Sequence, residues 1–204
     1  MPKLPMDILR RRVKQELGMC ERKLNHQIEI KDNEIDDFPV TVRVTMNHQP
    51  GPTLRDKKVT NRFTHQFVMK ITEEYPYEKP IVRWRTPIFH PNIMLPEDGG
   101  HVCTKLLDTW GFNSNLLSFI RGIESLLTNP NPYSPWGSKS CMAAAKYFSE
   151  NEYTPPTIVK TDDKGPKILP VESKPDTENI DDNDHDNDHD NDSETKDEVD
   201  GDEG

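Results

Sequence analysis

The chain has 204 residues, of which 36 are acidic and 26 are basic, so its formal net charge is -10. The charge is uneven: residues 161–204 hold 18 acidic and 4 basic side chains, whereas residues 1–160 hold 18 acidic and 22 basic ones. This predicts a mildly basic domain followed by an acidic segment. No apolar run approaches the roughly 20 residues that span a bilayer, and the N-terminus lacks the apolar region of a secretory signal.

The chain contains three cysteines, Cys20, Cys103 and Cys141. This number is odd and too small for a disulfide framework, and the spacing is not that of a zinc site. We therefore expect a reducing, intracellular location, cytoplasmic or nuclear, and no bound metal. The acidic repeat 184–190 lacks the glycine that a calcium-binding EF-hand loop needs, so it predicts a solvated charge run with at most weak cation binding.

The first predicted element is a helix capped by Asp7. Its apolar residues recur at helical spacing. They are Ile8, Val13, Leu17 and Leu24. Basic side chains at positions 10–12 and 14 lie mostly on the other faces, and such a face is either solvated or docks an acidic partner.

Four strand-like segments follow, at residues 26–31, 40–46, 63–71 and 81–85. Each is rich in alternating or β-branched residues. A polar stretch at 47–61, which includes Pro50-Gly51-Pro52, predicts a loop between the second and third segments. Because turns rather than helices join the segments, they predict an antiparallel meander.

Two more helices are predicted, at Leu116–Leu127 and Ser138–Phe148, from apolar residues at helical spacing. The order of helix, sheet, long loop and helices predicts one α+β domain over residues 1–155. Residues 156–204 are rich in Pro and Asp and almost free of aromatic residues. Such a segment cannot bury enough apolar surface to offset its ordering entropy, so it predicts a disordered acidic tail.

The irregular segment between residues 86 and 138 contains the candidate nucleophile. A long segment without regular structure inside a domain is usually functional, and here Cys103 follows two glycines that permit close approach of the backbone. Cys20 and Cys141 lie in amphipathic helical patterns, where cysteine most often behaves as a small buried apolar residue. Cys103 is therefore the predicted nucleophile.

Several motifs occur in an order and spacing that resemble the core of ubiquitin-conjugating enzymes over roughly residues 5–150. They are Tyr75–Pro80, Phe89–Ile93, Val102-Cys103, Trp110, Leu126-Leu127 and Asn129–Pro132. The resemblance implies a four-stranded antiparallel sheet flanked by an N-terminal helix and C-terminal helices. It also implies a cysteine that accepts ubiquitin or a ubiquitin-like protein as a thioester from an activating enzyme and passes it to a substrate lysine, often with a RING-type ligase. No cofactor is implied on the carrier, since ATP is used upstream by the activating enzyme.

The resemblance also implies roles for single residues. Cys103 is the thioester-forming cysteine, and Asn92 either supports the oxyanion or orders the active-site loop. Both roles stay open, because an amide N–H near the reacting carbonyl and a loop-bracing amide are equally reasonable. Ser134 lies where the family positions the incoming lysine. Arg11 and Lys14 lie on the helix that meets the activating enzyme.

Two loops resemble ligase-contact loops, one containing Pro76 and Tyr77 and the other Phe112. The sequence departs from the family in four places. The stretch from Asn92 to Cys103 is longer than usual, and the stretch from Cys103 to Trp110 is shorter. The Ser-Pro that commonly follows the tryptophan is absent after Trp110, and no final family helix is evident.

Three other functions compete with this interpretation. An inactive variant that only binds ubiquitin would lack the cysteine, which is present. A cysteine hydrolase would pair Cys103 with His90 or His101, but no third orienting residue follows such a pattern. An acidic-tail protein would bind basic proteins through a salt-sensitive attraction. We expect no nucleic-acid partner, because the acidic tail would repel phosphate. We also expect the protein to be a monomer.

Overall fold

The structure, a computed structural model, describes residues 3–31, 35, 37–104, 110–159 and 167–168. Most of the segment predicted as an acidic tail, including the repeat 184–190, lies outside the described residues. The boundary between domain and tail at residue 155 stays a prediction. Within the described residues, no helix is long and apolar enough to cross a membrane.

A four-stranded antiparallel sheet forms the centre of the fold. Its strands are β1 (His26–Ile30), β2 (Val40–Arg55), β3 (Lys58–Ile71) and β4 (Ile81–Trp84), and they pair in sequence order. The predicted meander is thereby confirmed. Two short strands, β5 (Ile158–Val159) and β6 (Lys167–Ile168), pair with each other in a two-stranded sheet.

The prediction of a loop over residues 47–61 is wrong. β2 and β3 continue through this stretch, and the chain reverses at Asp56 and Lys57, which both have the positive φ that tight two-residue hairpin turns require. A register shift between Asn47 and Gly51 absorbs the irregular residues as a bulge. Beyond Pro52 the hairpin is largely exposed, so no buried face imposes the apolar alternation that would reveal strands.

The described residues also form three α-helices, of which the first two pack against the sheet. They are α1 (Met6–Lys23), α2 (Leu116–Thr128) and α3 (Lys139–Glu150). The capping box of Asn115 and Ser118 begins α2, and the side chain of Ser138 caps α3. All three helices were predicted, and the α+β class is confirmed.

The buried face of α1 is offset from the predicted one. Ile8 is 46% exposed and Leu9 is fully buried in its place. The buried residues follow a helical stripe that includes one carboxylate. They are Leu9, Val13, Glu16, Leu17 and Cys20. The helix also begins at Met6, with Pro5 at the N-cap, so Asp7 lies in the first turn and is not the cap.

Gly100 holds the segment that leads to Cys103 against β4. It has φ +62°, its carbonyl accepts a hydrogen bond from Trp84 N at 2.7 Å, and a Cβ atom here would lie 2.4 Å from the Trp84 carbonyl oxygen. Only glycine satisfies both the backbone conformation and this contact. Gly100 therefore allows the segment that leads to Cys103 to lie directly against β4.

We predict that Gly100→Ala lowers the free energy of unfolding by about 2–4 kcal/mol, because it adds both strain at positive φ and a steric overlap. Gly137→Ala is the matched control, since nothing lies within 4 Å of a Cβ there. Urea unfolding of the two variants measures the difference. Equal stabilities would contradict the close approach of Gly100 to β4.

Candidate active site

The backbone around Cys103 is fixed on both sides. Its amide donates to the carbonyl of Asn92 at 2.9 Å, and the amide of Thr104 donates to Val102 at 2.9 Å. One residue earlier, Val102 forms a β-bridge with Ile93. The cysteine is thus held by backbone pairing although it lies outside the four-stranded sheet.

Cys103 differs from the other two cysteines in its access to solvent. It is partly exposed and borders a groove, whereas Cys20 and Cys141 are fully buried. Burial raises the pKa of the Cys20 thiol to about 12 and also raises the pKa of Cys141. Because the thiolate is the nucleophile, two of the three cysteines are unsuited to covalent chemistry.

Asn92 connects the cysteine segment to the loop 131–134. Its side chain is fully buried, and Nδ2 donates to the carbonyls of Asn131 at 3.0 Å and Ser134 at 2.9 Å. Its Oδ1 accepts from the amide of Asn131 at 2.8 Å. Both amide hydrogens are therefore used in bracing this loop, and an oxyanion role would require one of these bonds to be released.

His90 is a structural residue in this arrangement. Its Nε2 donates to the Leu126 carbonyl at 3.0 Å, and its Nδ1 accepts from the amide of Asn92 at 3.0 Å. Burial lowers the pKa of His90 to about 3. With both ring nitrogens occupied, His90 cannot serve as a base for Cys103.

His101 borders the same groove as Cys103, with its ring 5.8 Å from that of Trp136. Among the described residues, no hydrogen bond orients this ring as the base of a catalytic triad would be oriented. The geometry therefore gives little support to the hydrolase alternative.

Ser134 is exposed, beside Tyr133, whose exposed fraction is 89%. The carbonyl of Ser134 is the acceptor for Asn92, so the predicted site residues Cys103, Asn92 and Ser134 are joined through backbone contacts. The predicted role of the Ser134 hydroxyl in positioning a lysine stays a prediction.

The three residues predicted to meet a ligase lie together. The rings of Tyr77 and Phe112 are 5.4 Å apart and are 38% and 49% exposed, while the Pro76 carbonyl accepts a hydrogen bond from the Trp110 indole at 2.9 Å. We call Pro76, Tyr77 and Phe112 the aromatic surface. Arg12 borders it, with Cζ 5.2 Å from the Phe112 ring.

Arg11 and Lys14 are exposed on α1, one helical turn apart. Sequence reasoning missed the more connected pair on this helix, Arg12 and Glu16. Arg12 Nη2 donates to the carbonyls of Phe112 and Ser114, both at 2.9 Å, and Arg12 Nε lies 2.8 Å from Glu16 Oε1. The signal available was an acidic residue within the buried stripe, four positions after an arginine.

Glu16 is a buried carboxylate with several partners. Besides Arg12, its Oε2 accepts from the amide of Leu116 at 2.8 Å and from the hydroxyl of Tyr75. Burial and the neighbouring carboxylate raise the pKa of the Tyr75 hydroxyl, which keeps it a donor. This network connects α1 to the start of α2 through Leu116. It also connects α1 to Tyr75, which directly precedes the aromatic-surface residues Pro76 and Tyr77.

Residues 13–155 match the family model for ubiquitin-conjugating enzymes. The chain belongs to the ubiquitin-conjugating enzyme family. It is 37% identical over 90 residues to ubiquitin-conjugating enzyme E2 3 of Arabidopsis thaliana, across 44% of this chain and 55% of that protein. It is 30% identical over 115 residues to the probable ubiquitin-conjugating enzyme E2 L460 of Acanthamoeba polyphaga mimivirus, across 55% and 65%. The chain thus spans roughly half to two thirds of the length of these curated relatives.

Two solved structures share the fold. S. cerevisiae Ubc12 superposes with a TM-score of 0.54 at 26% identity, covering 70% of this chain and 72% of the other. A ubiquitin-conjugating enzyme fold from Plasmodium yoelii gives a TM-score of 0.53 at 22% identity, covering 74% and 88%. The sheet and helices described above are therefore the fold of this family.

We predict that Asn92→Ala lowers the free energy of unfolding by about 2–4 kcal/mol, because three backbone groups of the loop 131–134 lose their partners. Asn113→Ala, at an exposed position, is the control. Urea unfolding measures both. An Asn92→Ala variant of unchanged stability would contradict the bracing role and favour the oxyanion role.

We predict that stability falls on acidification below pH 6.5. The pKa of His90 is about 3 in the folded chain and about 6.5 in the unfolded one, so the unfolded chain binds the extra proton between these values. The contribution of His90 is complete above pH 6.5 and is lost at up to about 1.4 kcal/mol per pH unit as the pH falls toward 3. His65, whose pKa burial lowers to about 4, acts in the same direction.

The measurement is the free energy of unfolding against pH from 4.5 to 7.5. The variant His90→Gln should have a smaller slope below pH 6.5, whatever its overall stability. Parallel curves for the wild type and this variant would contradict the assignment of His90 as a neutral buried residue.

Proposed function

We propose that this chain carries ubiquitin or a ubiquitin-like protein as a thioester on Cys103 and transfers it to a lysine of a protein substrate. The observation that supports this most directly is the access of Cys103 to a groove, while Cys20 and Cys141 are buried. Membership of the family supports the same use of the cysteine.

Loading and transfer are two exchanges at one carbonyl carbon. In loading, the Cys103 thiolate attacks the thioester carbonyl of the modifier on the activating enzyme; a new S–C bond forms and the activating enzyme's thiolate leaves. In transfer, the neutral amine of a lysine attacks that carbonyl, an isopeptide C–N bond forms, the C–S bond breaks, and the proton lost by nitrogen is taken up by the leaving thiolate or by solvent.

The chain's contribution to these steps is positional. Asn92 holds the loop of Ser134 against the cysteine segment, which would keep both near the reacting carbonyl. The hydroxyl of Ser134 could orient an amine but is a poor base at neutral pH, so the lysine must arrive deprotonated or lose its proton during attack.

Two surfaces would receive the partners. Arg11 and Lys14 are exposed on α1 and would bind an acidic surface of an activating enzyme. The aromatic surface offers paired rings, of the kind enriched in protein interfaces, to a RING-type ligase. ATP would be consumed by the activating enzyme and no cofactor would be needed on this chain. The intracellular site expected from the reduced cysteines suits this function.

We predict that incubation with ATP, ubiquitin and the ubiquitin-activating enzyme gives an adduct that a thiol reductant cleaves. A panel of ubiquitin-like proteins, each with its own activating enzyme, extends the same assay. Cys103→Ala should abolish the adduct, and Cys103→Ser should replace it with an oxyester that resists the reductant. Gel electrophoresis with and without reductant measures all three.

Cys141→Ala is the matched control and should retain the adduct, because Cys141 is buried. A chain truncated after residue 160 should also load, whereas a function that depends on the acidic tail would be lost. If no modifier forms an adduct with its activating enzyme present, the carrier function is overturned. A non-catalytic protein that binds ubiquitin, or one that acts through its acidic tail, then becomes the better interpretation.

A further inference from the structure

The buried stripe of α1 includes a carboxylate, that of Glu16, which is only 8% exposed. A buried carboxylate is unfavourable unless its oxygens are paired or hydrogen-bonded. Glu16 Oε2 accepts from the Tyr75 hydroxyl and from the Leu116 amide, and Oε1 lies 2.8 Å from Arg12 Nε. An apolar side chain would fill the same position without this requirement, so what distinguishes Glu16 is the set of groups that it orders.

The guanidinium of Arg12 extends the effect of Glu16 to the loop 111–114. Its Nε faces the carboxylate, while Nη2 donates to the carbonyls of Phe112 and Ser114, both at 2.9 Å. Because the guanidinium is a rigid planar group, a carboxylate that fixes Nε also fixes the direction of Nη2. Cζ lies 5.2 Å from the centroid of the Phe112 ring, so Arg12 contacts both the backbone and the ring of this residue.

The loop that carries Phe112 closes on itself. The Ser114 amide donates to the Gly111 carbonyl at 2.9 Å, and the Gly111 amide donates to the Ser114 hydroxyl at 3.0 Å. These bonds close the turn, and the bonds from Arg12 attach it to α1. Phe112 itself is 49% exposed, with its ring centroid 5.4 Å from that of Tyr77. The position of the ring therefore depends on contacts made beneath it.

We propose that Glu16 is a positioning residue for the aromatic surface: by orienting Arg12, it holds Phe112 beside Tyr77 in the arrangement that a RING-type ligase binds. The inference rests on the proposed function, which assigns this surface to the ligase. A surface that is ordered before binding loses less conformational freedom when the partner arrives, and it therefore binds more tightly. Glu16 acts on the affinity for the ligase and makes or breaks no bond.

The experiment is calorimetric titration of the unloaded full-length chain with a panel of purified RING domains. Glu16→Gln keeps the size of the side chain and an acceptor oxygen, but it removes the charge that holds the guanidinium. For a RING domain that binds the wild type, the Kd should rise about two- to tenfold, which corresponds to ordering one side chain at an interface. Glu21→Gln makes the same change at an exposed position of α1 and should bind as the wild type does.

The variant Phe112→Ala distinguishes a positioning role from a general loss of stability. If Glu16 acts through the Phe112 ring, Glu16→Gln weakens binding while the ring is present and has a much smaller effect once Phe112→Ala has removed it. A general structural role would weaken binding equally in both backgrounds. Urea unfolding of each variant, under the same conditions, shows that the folded chain is being compared.

A fluorine label observes the surface without a ligase. In a chain with 4-fluorophenylalanine at position 112, Glu16→Gln should shift or broaden the fluorine resonance, because the ring then samples other positions. Glu21→Gln should leave the resonance unchanged. An unchanged resonance in both variants would show that Glu16 does not position the ring.

The outcomes separate this inference from the proposed function. If the chain does not load with any modifier, the proposed function fails, while the titration and the fluorine resonance still decide the role of Glu16. If no RING domain binds the wild type, or if Glu16→Gln binds as tightly as the wild type, the inference is overturned whether or not the chain loads. Equal loss of affinity with and without the Phe112 ring overturns it as well.

Discussion

The buried amide of Asn92 is the contact on which the arrangement of the candidate site depends. The segment of Cys103 and the loop 131–134 both lie outside the sheet and the helices, so no regular hydrogen-bond ladder holds one against the other. Asn92 supplies that link with three side-chain bonds and one carbonyl. Because a buried amide without partners is costly, the loop and the cysteine segment stabilise each other through this side chain.

A second buried polar group plays the same part for the proposed partner surfaces. The carboxylate of Glu16 satisfies the first amide of α2, the hydroxyl of Tyr75 and the guanidinium of Arg12. Arg12 in turn holds the carbonyl of Phe112. This network therefore fixes the position of α1 relative to the loop that carries Phe112.

The sequence predicted those parts of the fold where burial imposes a period. The meander and all three helices have apolar residues at the spacing of their elements, and they are confirmed. The outer half of the β2–β3 hairpin was missed because its tip is exposed and its inner part contains Pro50, which lies within the bulge, and Pro52. The shift from Ile8 to Leu9 on α1 escaped prediction because both are apolar neighbours, and only contact with the core decides between them.

For the candidate site as well, the sequence predicted what burial patterns reveal and missed what depends on contacts between distant segments. Cys103 could be singled out because the other two cysteines lie in amphipathic patterns, and their burial agrees with that reasoning. The partners of Asn92 depend on which distant segments the fold brings together. Periodicity along the chain carries no such information.

The chemistry near Cys103 is notable for its lack of a strong base among the described residues. His90 is held neutral by burial with both ring nitrogens occupied, and the Ser134 hydroxyl cannot accept a proton well at neutral pH. In the proposed function, a thioester in such a site would react slowly with water, since no described residue beside Cys103 is oriented by hydrogen bonds as a base that activates a water molecule. Selectivity would then come from how long a lysine stays beside the carbonyl in a geometry that allows attack.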